Sequence, residues 1–423
     1  MKLFRKLISL DEALKAVLAY AKPAETEIEE IGFDDALNRV LAEDVCSTAD
    51  SPPFDRAAMD GYAIRAEDSF GASPNNPVLL KLIKSQREKG KESRVEGVEI
   101  GEGECFSIQT GMALPKGSNA VVMLEYTKER GSELEIFKPV TPGKNVSFKG
   151  EDVKKGEVVL KEGKLLRAHD VGMLASLFKR SVKVYKRAKF GIMSTGDELL
   201  NPEEAEPYEG EKRIADVNSY VLAGLTEPIA SSYKIGIVRD NYDKIKTAIS
   251  GSLAVDSDSN YYCDGLLISG GSSVGKRDFI AGVVEDSGEL VFHGVAIRPG
   301  EPTGFGIVNG KPVFILPGYP VAAISAFELL VRPFLFAVHG VKEERKRIFA
   351  VARKKIPSAV GRTDFVRVKL LCKENKNEYF VEPIGVSGSG ILSSMTKSDG
   401  FVVIEENKEG VGAGEKVEVV VWE

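Results

Sequence analysis

The feature that most constrains this chain is the alternation of strand and helix patterns between Phe190 and Val338. Short continuous apolar runs at 190–193, 233–238, 265–269 and 313–316 alternate with segments of helical spacing at 218–225, 242–253, a stretch ending near Glu285, and 321–338. Continuous apolar runs describe strands covered on both faces, and their alternation with helices implies a parallel sheet with right-handed crossovers. Ligands of such sheets bind outside the carboxyl ends of the strands. The loops at 194–198, 269–278 and 317–320 all follow strands, so they are expected at one edge, with Arg239 and Asp240 beside them.

The loop SGGSSVGKRD, beginning at Ser269, carries the strongest local signal. Gly270 and Gly271 end a strand, and Arg277-Asp278 opens a helix. Such a loop frees several backbone N–H groups at a helix start, where the dipole also favours an anion; a tight turn with no ligand is the alternative. Gly270, Gly275 and Lys276 satisfy the GxxxxGK pattern of a phosphate loop, but Arg277 stands where Ser or Thr would hold Mg²⁺. Four acids share the predicted edge with this loop: Asp197, Glu198, Asp240 and Asp278. Carboxylates beside a phosphate call for a bridging divalent ion, since direct contact would repel. Each acid taken singly reads equally well as a helix cap or a surface charge. Ser-His-Asp catalysis has no support: there is no GxSxG elbow, and His169, His293 and His339 are far apart.

Outside this region the texture changes. Ser9 to Glu12 is a capping box leading into a helix, and the segment after Gly32, with Leu37, Val40 and Leu41, reads as a second helix. SPPFDRAAMDGYAIR, residues 51–65, places Asp55, Arg56 and Asp60 among closely spaced small residues, as functional loops often do; a self-capped structural loop is the alternative. Short strands at 78–83, 105–109, 120–125 and 134–138 form a small β-rich unit, with the Thr110 hydroxyl on the turn after one of them. Asp152 sits in a second polar turn. Residues 342–355 read as a solvated basic linker into an edge strand, and 345–423 as all-β, with a hairpin joining 365–371 to 378–381.

Composition limits the partners. At 423 residues the chain exceeds one ordinary core. A net charge of -6 argues against general nucleic-acid or anionic-membrane binding. No run approaches the roughly 20 apolar residues of a membrane span. Cys46, Cys105, Cys263 and Cys372 lack CxxC spacing and fit reduced thiols in a cytoplasm.

SPPFDRAAMDGYAIR, TGMALP, FKGED, STGDEL, SGGSSVGKRD, AIRPGEP and LPGYPVAA occur in the order seen in the MoeA family, the molybdopterin molybdenumtransferases, and this chain resembles that family over nearly its whole length. The resemblance implies a multidomain α/β and β protein. Residues 1–51 with 142–186 would form a discontinuous N-terminal domain, and 52–141 a small β-rich inserted domain. Residues 187–340 would form a MoCF-type, molybdopterin-binding α/β domain with a parallel-rich sheet, and 345–423 a C-terminal β-barrel-like domain. It implies Mg²⁺-dependent insertion of molybdate into adenylated molybdopterin with release of AMP, in a cytoplasmic homodimer supplied by a molybdopterin adenylyltransferase. By the same resemblance Asp60, Thr110, Asp152, Glu198, Asp240 and Asp278 are catalytic positions, with Asp240 and Asp278 on the metal. Asp197, Gly270, Gly271, Ser272, Ser273, Arg298, Pro317, Gly318 and Pro320 shape the pterin pocket. Arg362 and Ser389 bind the oxyanion, near the active site of the partner subunit. Gly294, Arg298 and Glu301 stand where the family often has Lys, which leaves open a paralogue that handles tungstate or binds the pterin without inserting metal.

Overall fold

The computed structural model describes residues 7–21, 27–83, 97–204, 212–254, 262–270, 279–373, 378–385 and 388–422. The chain forms two compact units: residues 30–37 with 41–182, and residues 1–29 with 38–40 and 183–423.

The unit of residues 30–182 is built on a six-stranded sheet, in the order Ala120–Met123, Gly61–Ile64, Glu104–Ile108, Val78–Ile83, Glu133–Ile136, Thr127–Arg130. Alternation along a strand sends successive side chains to opposite faces. Both faces are buried: Tyr62, Ile64, Ala120 and Val122 join one core cluster, while Ala63 and Val121, between them in sequence, join another with Ala57 and Val146. This is why the strands at Gly61–Ile64 and Ala120–Met123 read as continuous apolar runs.

The helix expected after Gly32 does not form. Ile28–Gly32 is a strand, Phe33–Asp35 a single 3-10 turn, and Asn38 takes a left-handed backbone with φ 60°. Val40 and Leu41 instead use their main chains in extended pairings, with Leu41 N–H donating to the Lys164 carbonyl at 3.0 Å. Apolar residues at 37, 40 and 41 mimic helical spacing, but Leu37 is exposed.

In the other unit, the capping box at Ser9 starts the helix Leu10–Ala19, with both reciprocal hydrogen bonds present. The central sheet has six strands in the order Ser231–Val238, Lys189–Thr195, Gly265–Gly270, Lys311–Leu316, Gly304–Val308, Gly288–His293. The first four run parallel, and Gly304–Val308 is antiparallel to both of its neighbours. Register aligns Thr195 with Gly270 and with Val238, and Ser269 with Leu316, so the carboxyl ends of four strands share one edge. Helices Tyr242–Ser252 and Phe279–Ser287 pack Ile245, Ile249, Ile280 and Val283 against Ile268 and Ile315.

Pro320 is the first helical residue of a long element that runs Pro320–Ala326, takes a π turn over Phe327–Val331, and continues as Arg332–Val338. Contrary to the sequence expectation, Pro320–Val338 is long and apolar enough to cross a membrane by length and composition. It is the core helix of this domain: Phe327, Leu330, Val331 and Leu335 are fully buried.

The last domain is a closed five-stranded barrel. Thr363–Lys373 pairs with Glu378–Pro383, then Arg347–Ala352, Lys416–Val421 and Gly400–Ile404 follow, and the last returns to Thr363–Lys373. Arg347–Ala352 is therefore an interior strand of the barrel, not an edge. In the stretch before it Lys342, Glu344 and Lys346 are exposed, as in a solvated linker, but Arg345 is not. Arg345 is largely buried, its side chain 10% exposed, donating from Nη1 to Glu328 at 2.7 Å and from Nε to Glu343, while Arg332 Nε donates to Glu343 at 2.7 Å. Burial still pushes the Glu328 carboxyl up, with Arg345 and Arg332 opposing.

Candidate active site

The edge where four parallel strands end opens into a cavity of about 1340 Å³. Its wall includes Asp197, Glu198, Asp240, Gly270, Arg298, Pro317, Gly318, Pro320, Arg362 and Ser389, ten of the residues named from sequence. The strand-end argument explains the convergence: Thr195, Val238, Gly270 and Leu316 each finish a strand here, and the loops leave together. Gly271, Ser272, Ser273 and Asp278, with Gly275, Lys276 and Arg277, lie outside the described residues.

Three acids gather on one part of the wall. Asp240 N–H donates to the Asp197 carboxylate at 3.4 Å, and Arg239 Nη1 donates to the Asp197 carbonyl at 2.5 Å, tying two strand ends together. The Asp240 carboxyl is raised, first by partial desolvation, then by the negative charges of Asp197 and Glu198. A cation here would relieve that excess, and the donors are hard oxygens of the kind Mg²⁺ takes. Among the described residues no group of three or more His, Cys, Asp or Glu side chains is placed to enclose a metal ion.

Sequence reasoning missed the polar floor of the cavity. Asp216 accepts from Ser194 Oγ at 2.9 Å and from Ser219 N–H at 3.2 Å. Asn218 Nδ2 donates to Ser269 Oγ at 2.6 Å and to the Gly318 carbonyl at 2.8 Å. These two residues join three of the strand-end loops to the start of the helix Asn218–Thr226. The available signal was the tripeptide Asp216-Val217-Asn218 at a helix start, which reads locally as nothing more than a cap. Gly270 shows why glycine is needed at the strand end: its φ is +124°, and a Cβ would fall 2.1 Å from the Thr195 carbonyl oxygen.

The barrel domain supplies the cationic part of the wall. Arg362, Ser389, Gly390 and Leu392 line the same cavity as the acids. Arg362 and Ser389, expected near the partner's site, thus reach the cavity of their own chain. Two sets of main-chain pairings bring them there. Ile297 and Arg298 pair in parallel with Thr363 and Asp364, and Val321 N–H donates to the Ser389 carbonyl at 3.0 Å. Arg298 is ion-paired to Asp364, which is buried.

Asp60, Thr110 and Asp152 belong to the other unit. Thr110 donates to Asp60 Oδ1 from both its N–H, at 2.7 Å, and its hydroxyl, at 2.9 Å. These two bonds lower the Asp60 carboxyl, the backbone one more strongly. The two residues are 50 apart in sequence, so the loop 51–65 and the turn after Glu104–Ile108 form one polar corner.

Comparison with known proteins identifies the family. The profile of the MoeA N-terminal region (domain I and II) matches residues 8–178, that of a "Probable molybdopterin binding domain" matches 191–337, and that of the MoeA C-terminal region (domain IV) matches 350–422. The chain belongs to the MoeA family. Among MoeA relatives, a putative molybdopterin biosynthesis protein of Methanocaldococcus jannaschii is 43% identical, covering 99% of both chains. The molybdopterin molybdenumtransferase of Haemophilus influenzae is 33% identical over 98% of both. The crystal structure of a molybdopterin biosynthesis MoeA protein from Pyrococcus horikoshii superposes with a TM-score of 0.78 at 36% identity, covering 99% of this chain and 100% of that one. The α/β domain, the separate β-rich sheet and the terminal barrel are thus the MoeA architecture.

Proposed function

We propose that this chain is a molybdopterin molybdenumtransferase, which inserts molybdate into adenylated molybdopterin and releases AMP. The observation that carries the reading is a single cavity whose wall combines Asp197, Glu198 and Asp240 with Arg298, Arg362 and Ser389. A substrate holding both a phosphoanhydride and an oxyanion acceptor needs both kinds of group: acids to hold a divalent ion against the phosphates, and cations with hydroxyl donors for the oxyanion. Asp240 is assigned to the metal, with Asp278 as its companion. Mg²⁺, when bound, would offset phosphate charge as the phosphoanhydride breaks. Asp197, Gly270, Arg298, Pro317, Gly318 and Pro320, with Gly271, Ser272 and Ser273, are assigned to the pterin nucleotide pocket, and Arg362 and Ser389 to the oxyanion, which Arg298 also faces as a cation on the same wall. Asp60, Thr110, Asp152 and Glu198 take catalytic roles by family resemblance.

The domain limits given above, a cytoplasmic setting, a homodimeric state, and an adenylyltransferase as supplier of the substrate belong to the same reading. The test is direct. Purified protein is mixed with adenylated molybdopterin, molybdate and Mg²⁺, and AMP and molybdenum cofactor are quantified together. Matched formation of both is expected. Glu301 also lines the cavity and adds negative charge, so a tungstate arm is included. Tight pterin binding with no AMP under either oxyanion would leave a binding protein in place of the enzyme.

A further inference from the structure

Two arginines line one cavity wall, and among the described residues only Arg298 is held by a buried carboxylate. Asp364 is 1% exposed. Its Oδ2 accepts from Arg298 Nη2 and from Ser358 Oγ, the latter at 2.8 Å, while Oδ1 is buried with no partner among the described residues. Arg298 remains 44% exposed, so its guanidinium spans from the buried acid to the open cavity. The main chain enforces the meeting. Arg298 is in parallel register with Asp364, Ile297 with Thr363, and Thr363 N–H donates to the Ala296 carbonyl at 2.8 Å. Arg362 is the residue just before this ladder, so the second cation enters the cavity from the same seam.

A long side chain such as Arg298 would otherwise turn into solvent. A buried carboxylate left without its cation is strongly unfavourable, so the pairing constrains both partners. An ionised acceptor also gives the stronger kind of hydrogen bond and fixes the planar donor fork. We propose that Asp364 is a positioning residue for the oxyanion: it holds Arg298 on the cavity wall so that Arg298 and Arg362 together bind the tetrahedral anion. The inference rests on the functional reading above for the identity of that anion.

A double-mutant cycle tests it, with molybdate binding measured by calorimetry on the full-length protein, which needs no turnover. Asp364→Asn is expected to weaken molybdate binding about tenfold and Arg298→Ala by a similar factor. The double variant should be no worse than Arg298→Ala alone, because Asp364 acts through Arg298. Ser358→Ala keeps the Asp364 charge and loosens its grip, so a two- to threefold loss that vanishes in the Arg298→Ala background is expected even if Asp364→Asn fails to fold. In turnover assays of Asp364→Asn and Ser358→Ala the loss should fall on KM for molybdate rather than on kcat. Equal losses from Asp364→Asn or Ser358→Ala with and without Arg298 would overturn the proposal, as would unaltered molybdate affinity. Wild-type protein that binds molybdate yet releases no AMP would count against the functional reading alone.

Discussion

Asp240, proposed above as a metal ligand, sits where its charge is a cost to the fold. Its carboxyl is raised, so the native state holds that proton above the pH at which the unfolded chain releases it. Stability therefore falls as pH climbs from the ordinary carboxylate range through the raised value, and the penalty is fully present above it. Asp240→Asn is expected to raise the melting temperature slightly at pH 7 and to flatten that dependence, while abolishing AMP release; thermal scans from pH 4 to 7 beside the turnover assay check both. Gly270→Ala should be destabilising by about 1–3 kcal/mol or more in urea unfolding, since the backbone strain adds to the clash with the Thr195 carbonyl. Asp197, Glu198 and Asp240 were legible in sequence because each follows an apolar strand, and strand ends of a parallel sheet share an edge. Asp216 and Asn218 were not. Their partners, Ser194, Ser269 and Gly318, are 22 to 100 residues away and meet them only once the sheet is assembled.

At the scale of elements, strands and helices of the α/β domain follow from periodicity, because burial on both faces leaves unbroken apolar runs. What periodicity could not supply was the pairing between elements. Glu328 lies buried in the π turn of the core helix, 17 residues before Arg345, and their contact draws the Arg345 guanidinium out of solvent. Arg345→Ala is expected to cost about 3–5 kcal/mol in urea unfolding, because it strands a buried carboxylate. Glu328→Gln on top of it should recover part of that loss. The single variant should also gain stability as pH falls and Glu328 takes up a proton, because burial already raises that carboxyl. The segment near residue 40 departs from its helical spacing for the opposite reason: three apolar residues match a period, but local turns at Phe33–Asp35 and Asn38 claim the backbone first.

For the whole molecule, motif order carried the family and the chain's broad organisation, whereas the route by which the barrel reaches the cavity was not readable, since it runs through a two-residue ladder, Ile297-Arg298 with Thr363-Asp364, between distant segments. Folding also sorts the four thiols. Cys46 and Cys372 are exposed, Cys105 and Cys263 buried, and burial with nearby acids pushes the Cys105 thiol up to about 12. A thiol reagent should titrate two groups in the native protein and four in denaturant; rapid reaction of all four would mean that the cores around Cys105 and Cys263 open readily.

The barrel at the end of the chain closes on itself because Gly400–Ile404 returns to Thr363–Lys373. Each of the five strands thus has a partner on both sides, which leaves this end of the protein less open backbone for zippering onto a neighbouring chain or seeding fibrils than an open sheet would. Any association through it must rest on side chains, and is therefore open to adjustment one residue at a time without disturbing the wall that carries Arg362.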